Sequence, residues 1–597
     1  MAPANVSLMR ALGPTILSPG QFDRDALLVT LATAGKGRLV VALRQVAAAG
    51  EKSAELMLAE PVSKLMGHQD PEVCAAAVSA IGAMGWAASR FGEDIAEYLL
   101  KHPNVTCRIA ALDALGKMGP GQSATVRGAV GECLRDQDPL LRQSALRALA
   151  SMADSQHAED IKALLTDASP GVRAAAIETL GHLVSISAEV ESLYPPEALV
   201  QPLTELLADG RTRRAALTAL CSLGNKAPEA CVGAVADAVA DQDCEIRQAA
   251  CHALGSFPLR CGAALPRLDE LLRSSDVGIR AAAATAVGAI GPEAISLAGA
   301  VAQLLSDDGE DTSTLTSQMG AGCRRPPAQL RLPRCAALGA LGRLGAAEHV
   351  KSAVAALSDP SWEVRKASCE AFGAFGAVAR EEHSALSAVL EDDAFPVRAM
   401  ACYALGQLGS AEALAGLIEK FEDQAHSVRL HAVSAVGQLG EKAEEYAHDV
   451  FKLLNDPVAH VRASAAVALS RLGPSANPYA GVVAGLLAES DAEVRRASLE
   501  ALGRMGRHGA ALAEEIYERR EYDANAAVRE AANQALASLG AAGFLAQEGF
   551  AALEDSGVGR ELGAEQKGFH GLGHHFAQIQ ETKKRVLNSG QWVEGLF

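Results

Sequence analysis

Aromatic side chains are scarce: they make up 4% of the 597 residues, against 49% hydrophobic residues overall, so a core here must be built from Ala, Val and Leu rather than from large rings. No run of about 18 apolar residues occurs, and residues 1–20 lack a basic start leading into a compact apolar stretch, which argues against a membrane anchor or a secretory signal. Positive charge is in the minority, with 54 Lys and Arg against 72 Asp and Glu for a net charge of −18. That balance opposes phosphate binding, so nucleic acid is not an expected partner and a basic protein surface suits the chain better. The 12 Cys include no Cys-x-x-Cys, which leaves neither a zinc-ribbon nor a thioredoxin-like spacing and points to reduced thiols in a cytoplasmic protein. The 55 Gly are not set at every third position, and the apolar content is too high for a disordered chain, so the sequence is expected to fold.

What is present is a repeat. The segments DPEVCAAAVSAIGAMG, DDAFPVRAMACYALGQLG, DQAHSVRLHAVSAVGQLG and SDAEVRRASLEALGRMG share an acidic turn, a Val followed by Arg in all but the first, an Ala-rich stretch and a closing Leu-Gly or Met-Gly. Fourteen copies occur, with Cys74 after the Val of the first and Arg at that place in the other thirteen, from Arg108 to Arg529. Most steps are 31 to 34 residues; steps of 40 before Arg213 and 54 before Arg334 mark insertions. The Thr-Pro-Leu-His and Trp, Leu-Gly, Tyr signatures of other repeats with similar periods are absent.

With the Val numbered 0 and about 100° per residue, positions 0, 4, 8 and 11 fall on one arc, as in Val364, Ser368, Phe372 and Phe375. A second amphipathic run precedes each such helix, at 447–454 and 294–305 for example, so the unit is a helical hairpin. Gly at position 12 closes eleven copies, a helix stop. A lone hairpin cannot bury its apolar face, and stacking buries it; the expected fold class is therefore all-α, an α-solenoid of about fourteen hairpins, roughly 130 Å long before curvature. The organisation expected is a degenerate N-terminal cap over 1–66, the array over 67–540 with a flexible loop at 306–330, and an aromatic-bearing tail over 541–597. The other insertion, near 185–198, should only lengthen a turn.

The acidic turn, Val-Arg, Ala and Leu pattern resembles the short HEAT-like repeat, also seen in bilin lyases. The resemblance implies an Asp and Arg ladder tying the turns of adjacent repeats and a concave side lined by the second helix of each hairpin. Position 1 sits at the edge of the buried arc, so its Arg needs a partner, and the acids upstream supply one: Asp359 for Arg365, Asp393 for Arg398, Asp423 for Arg429, Asp456 for Arg462 and Asp491 for Arg495. The recurring Gly-x-x-Gly pairs follow no strand and read as helix ends rather than phosphate loops.

Position 6 lies opposite the buried arc. Its occupants make the expected partner-binding row: Asp113, Arg147, Glu178, His252, Glu370, Tyr403, Glu500 and Gln534, with Tyr403 and the neighbouring acids the foremost contacts. In the tail, Phe569, Phe576, Trp592 and Phe597 either pack on the last repeats or dock on another protein. A hydroxylase with HEAT-like repeats, deoxyhypusine hydroxylase, holds iron with His-Glu pairs, and no His-Glu dipeptide occurs here. The His570, His574 and His575 cluster lies among glycines that fix no geometry, and Cys323 beside Arg324 and Arg325 is the one thiol whose setting favours reactivity. No catalytic residue, cofactor or metal is assigned. The expected function is a non-enzymatic scaffold or adaptor for other proteins within a larger assembly, without nucleic acid, membrane insertion or a small-molecule substrate. The alternatives are a transport-type carrier of basic cargo, and an enzyme or enzyme subunit of bilin-lyase or hydroxylase type.

Overall fold

A computed structural model describes residues 24–50, 53, 57–310 and 331–540, all of whose regular elements are helices. The chain divides into two compact units, one of Met1–Ala238 and His252–Ala263, the other of Val239–Cys251 and Ala264–Phe597. In the first, the helices Lys36–Ala49, Pro71–Ala83, Val105–Lys117, Pro139–Ser151, Pro170–Ile186 and Arg213–Leu223 stack in chain order, each on the next. In the second, the same arrangement runs through Val277–Ile290, Pro333–Leu344, Trp362–Phe375, Phe395–Leu408, His426–Leu439, Ala459–Leu469, Ala492–Arg504 and Ala526–Ser538. These are the second helices of the hairpins, and each unit is an α-solenoid of stacked pairs.

The first helices at the two runs named above are shorter than those runs suggest, the α-helical part of 294–305 being Ala298–Gln303. The stretch before Asp456 is a 3₁₀ turn Gly440–Tyr446, an α-helix of only Ala447–Lys452, and a second 3₁₀ turn Leu453–Asn455. On the second helices the computed arc holds: Val364, Ser368, Phe372 and Phe375 are buried, as are Val397, Ala401, Leu405 and Leu408. Val277–Ser306 is apolar and long enough to span a bilayer by length and composition, but Gly291 at φ +79° and Ala294 at φ −99° break it into a helix and a shorter companion within the stack, and 56% of its most apolar window is buried.

Glycine plays two parts. All eleven position-12 glycines have positive φ, from +53° at Gly224 to +96° at Gly473, the left-handed conformation that stops a helix at little steric cost. The glycine three residues earlier ends nothing. A Cβ built on Gly82, Gly406 or Gly437 would lie 2.5 to 2.8 Å from the Cα of Ala114, Ala435 or Ala468 on the next second helix, so this position is where successive backbones meet. The reading of both glycines of each pair as helix ends is thus corrected for the first of them.

The arginine ladder is present, with a different pairing from the one expected. Arg365 donates to the carboxylate of Asp392 at 2.6 and 2.8 Å, Arg398 to Asp423 at 2.8 and 3.0 Å, Arg429 to Asp456 at 2.6 and 3.0 Å, and Arg495 to Asp523 at 2.7 and 2.8 Å; Arg462 reaches Glu489 at 3.1 Å. Each arginine therefore binds the turn acid of the following repeat. From its own turn it takes carbonyl oxygens, as Arg365 does from Asp359 and Pro360. Asp359 receives Arg334 of the preceding repeat. Asp393 is not the rung acid, its neighbour Asp392 being the one engaged, while Asp491 caps its own helix by accepting from the N–H groups of Glu493 and Val494. The physical reason is directional. A side chain one turn into a helix leans back toward the N-terminus, which brings the guanidinium over its own turn carbonyls. The carboxylate there folds to take the N–H two residues on, as Asp423 does from Ala425 at 2.8 Å, and presents its outer edge to the preceding repeat.

Burial by itself would raise the carboxyls of Asp167, Asp307, Asp392, Asp423 and Asp523. The arginine hydrogen bond, the turn N–H and the facing guanidinium charge outweigh it and hold each below the ordinary value of 3.8.

The insertion at 185–198 does more than lengthen a turn: Pro170–Ile186 runs on as a longer second helix, and Ala188–Leu193 forms a short helix of its own. Of the 306–330 segment, residues 311–330 lie outside the described residues. Its two ends meet, because Arg331, 1% exposed, donates to Glu310 as well as to Glu363 at 2.7 Å.

Candidate protein-binding face

The outward row of the second helices follows from helical phase alone, and every position-6 side chain is half-buried or exposed. In the first unit Asp113, Arg147 and His252 are exposed and Glu178 is half-buried, where burial raises its carboxyl against the opposing charges of Arg147 and Arg214. Asp113 and Ser79 help line a groove of about 550 Å³ across three stacked helices, together with Val40, Arg44, Ala75 and Ile109.

In the second unit the acids of the row are already partnered. Glu370 accepts from Lys366 one turn earlier, and Glu500 is bridged by Arg496 at 3.4 Å and Arg504 at 2.7 Å. Gln534 donates to Glu530 at 3.1 Å. Tyr403 lies across the preceding helix at Gly373, where a Cβ would come within 2.6 Å of its ring, and packs edge-on to His431 with ring centroids 6.2 Å apart. Burial pulls the His431 imidazole below its ordinary 6.5.

Two further aromatics on this face were not singled out from the sequence. Trp362 and Phe395 open consecutive second helices at position −2, which in helical phase lies on the same side as position 6, and they are 44% and 52% exposed. The signal was available: in a chain with 3 Trp and 13 Phe, two large rings stand at equivalent outward positions of adjacent copies. Phe569, Phe576, Trp592 and Phe597, the His570, His574 and His575 cluster, and Cys323 all lie outside the described residues. Cys251, Cys369 and Cys402 are buried in the stack, and burial pushes Cys251 and Cys402 up to about 12. The arrangement offers rings, hydroxyls and paired charges on a helical surface, which equips it for recognition.

A family model for HEAT repeats matches residues 128–221, 197–288, 234–315, 331–394, 384–470 and 417–503, more than half of the chain. No curated protein matches the sequence. Among solved structures, an importin beta crystallised with ammonium sulfate is similar at 15% identity and a TM-score of 0.52, the match covering 95% of this chain and 81% of that one. Yeast importin-beta, Kap95p, is similar at 14% identity and a TM-score of 0.55, over 86% of this chain and 78% of that one. A Kap95:Nup1 complex gives 16% identity and a TM-score of 0.55 over 86% and 76%. At such identities these likenesses speak to the fold. With the repeat model spanning most of the array and the hairpins stacked as described, this chain belongs to the HEAT-repeat family.

Proposed function

We propose that this protein is a non-enzymatic scaffold or adaptor that binds another protein through the second-helix face of its repeats, centred on Trp362, Phe395 and Tyr403. The observation that carries the reading is the exposure of two large rings, at equivalent places on neighbouring helices, beside a third ring held by Gly373 and His431. Large exposed aromatics beside acids already neutralised by Lys and Arg match the aromatic-rich, charge-poor make-up of an interface centre. A larger assembly as the setting, and a cytoplasmic location, belong to the same reading.

A carrier of basic cargo is the second reading. It draws on the net charge of −18 and on the likeness of fold to the importin structures. The paired state of Glu370 and Glu500 weighs against it at this face, because acids already held by Lys or Arg offer little to a basic partner. An enzymatic role of the bilin-lyase or hydroxylase type comes third and rests on the repeat alone.

The test is affinity purification with Trp362→Ala, Phe395→Ala and Tyr403→Ala, singly and together. Each truncation at an interface centre is expected to weaken binding by about 2 kcal/mol, roughly 30-fold in Kd, while Tyr403→Ala, which also gives up packing on Gly373 and His431, is compared at a temperature well below its melting transition. Partners retained by the triple variant would refute this face as the docking surface. Partners lost only when acids such as Asp113 are neutralised would favour the carrier.

A further inference from the structure

One rung of the ladder is made of different chemistry. Where the arginine stands in the other copies, the Pro71–Ala83 helix carries Cys74; where the following turn carries its acid elsewhere, as Asp136 and Asp392 do, it has His102. The exchange is paired, replacing both ends of the same inter-repeat contact. At the head of the next second helix, Cys107 takes the place that Val364, Val397 and Val428 hold in later copies. His102 keeps the turn-forming role of the acid it replaces: its Nδ1 accepts from the Asn104 N–H at 3.1 Å, as Asp136 accepts from Asp138 at 2.9 Å.

The three side chains converge. One ring nitrogen of His102 and the Sγ atoms of Cys74 and Cys107 all lie within 4.8 Å of one another. Both thiols are buried, at 1% and 0% exposure, and His102 is half-buried. In this geometry Cys74 donates to the Met66 carbonyl at 2.9 Å and Cys107 to the Pro71 carbonyl at 3.3 Å. As neutral groups they cannot supply the ion pair that joins neighbouring repeats elsewhere in the ladder.

We propose that Cys74, His102 and Cys107 bind one zinc ion, which takes the place of the salt bridge at this rung. Two thiols and an imidazole are soft and borderline donors, suited to zinc and unsuited to calcium or magnesium. Their mutual spacing allows a single ion at ordinary metal–sulfur and metal–nitrogen distances. Zinc displaces the two thiol protons to solvent, so Zn²⁺ with two thiolates and a neutral imidazole is uncharged overall and tolerates this buried position. Whichever ring nitrogen coordinates, His102 gives up the Asn104 hydrogen bond, and the thiols release the Met66 and Pro71 carbonyls. Three protein ligands leave the fourth position to water. The ion ties the Pro71–Ala83 and Val105–Lys117 helices together, a structural role independent of the partner face proposed above.

The experiment uses the full chain, reduced, stripped with chelator and titrated with cobalt(II) and then zinc. The expected result is one equivalent of cobalt with thiolate-to-metal absorption and tetrahedral visible bands, displaced by zinc with release of two protons, and a raised melting temperature for the zinc form. The paired variant Cys74→Arg with His102→Asp rebuilds the ladder rung found in the other repeats, so it should fold while losing the cobalt bands; Cys107→Ser should lose them too. Absence of thiolate absorption in the reduced protein would overturn the proposal. So would bands unchanged in the paired variant, or a Cys74–Cys107 disulfide recovered from freshly purified protein.

Discussion

Arg429→Ala tests the ladder where its geometry is fullest. The guanidinium makes two hydrogen bonds to Asp456, at 2.6 and 3.0 Å, and two to the carbonyls of Asp423 and Gln424, at 2.9 and 3.3 Å. The Asp456 side chain is 3% exposed and keeps only the Val458 N–H when Arg429 is removed. Stranding a buried carboxylate typically costs about 3 to 5 kcal/mol; because the arginine is itself partly accessible, water can enter the space it vacates, and about 3 kcal/mol is expected. In a stacked array this loss is local. Amide exchange should therefore quicken about a hundred-fold in His426–Leu439 and Ala459–Leu469 while helices several repeats away keep their rates. Pairing Arg429→Met with Asp456→Asn removes both charges, and stability should return to within about 1 kcal/mol of the parent. A loss below about 0.5 kcal/mol for the single variant, or a double variant no better than it, would refute the reasoning.

Gly437→Ala should destabilise by about 1 to 2 kcal/mol in urea unfolding despite the better helix propensity of Ala, because the new Cβ meets the Cα and Cβ of Ala468 at 2.8 Å. Gly128→Ala, in a helix with nothing within 4 Å of the added atom, should instead stabilise by about 0.5 to 1 kcal/mol. Ala153 occupies the position of the helix-stopping glycines at φ +53°, so Ala153→Gly should raise stability by about 1 kcal/mol, read as an upward shift in melting temperature. The lowered carboxyls of Asp392, Asp423 and Asp523 contribute stability that is complete above their ordinary 3.8 and is lost as pH falls through the depressed folded values. Helical signal should accordingly hold to about pH 4 and fall below it, and an acid midpoint above about pH 6 would contradict this.

The helical hairpin, its buried arc and the outward row were legible because they depend on residues three or four apart on one helix, a distance over which 100° per residue leaves no freedom. Tyr403 illustrates both the reach and the limit of this reading. Its outward phase followed from counting from Val397, whereas its seat on Gly373 and its contact with His431 required knowing which neighbouring helix lies beneath it.

Periodicity determined by itself that the chain repeats, that each copy is a pair of helices, and that an arginine beside the apolar arc must find an acid. Tertiary structure alone decided which acid that is, since Asp359 is much the nearer to Arg365 along the chain and only the offset between stacked repeats selects Asp392. It also decided that Gly437 is a site of helix contact rather than a helix end, and that Cys74, His102 and Cys107, spread over 34 residues, meet at one point. The physical reason is common to all three: each is a contact between successive repeats, set by how closely Ala-lined backbones approach and in what register, a quantity that local propensity does not contain.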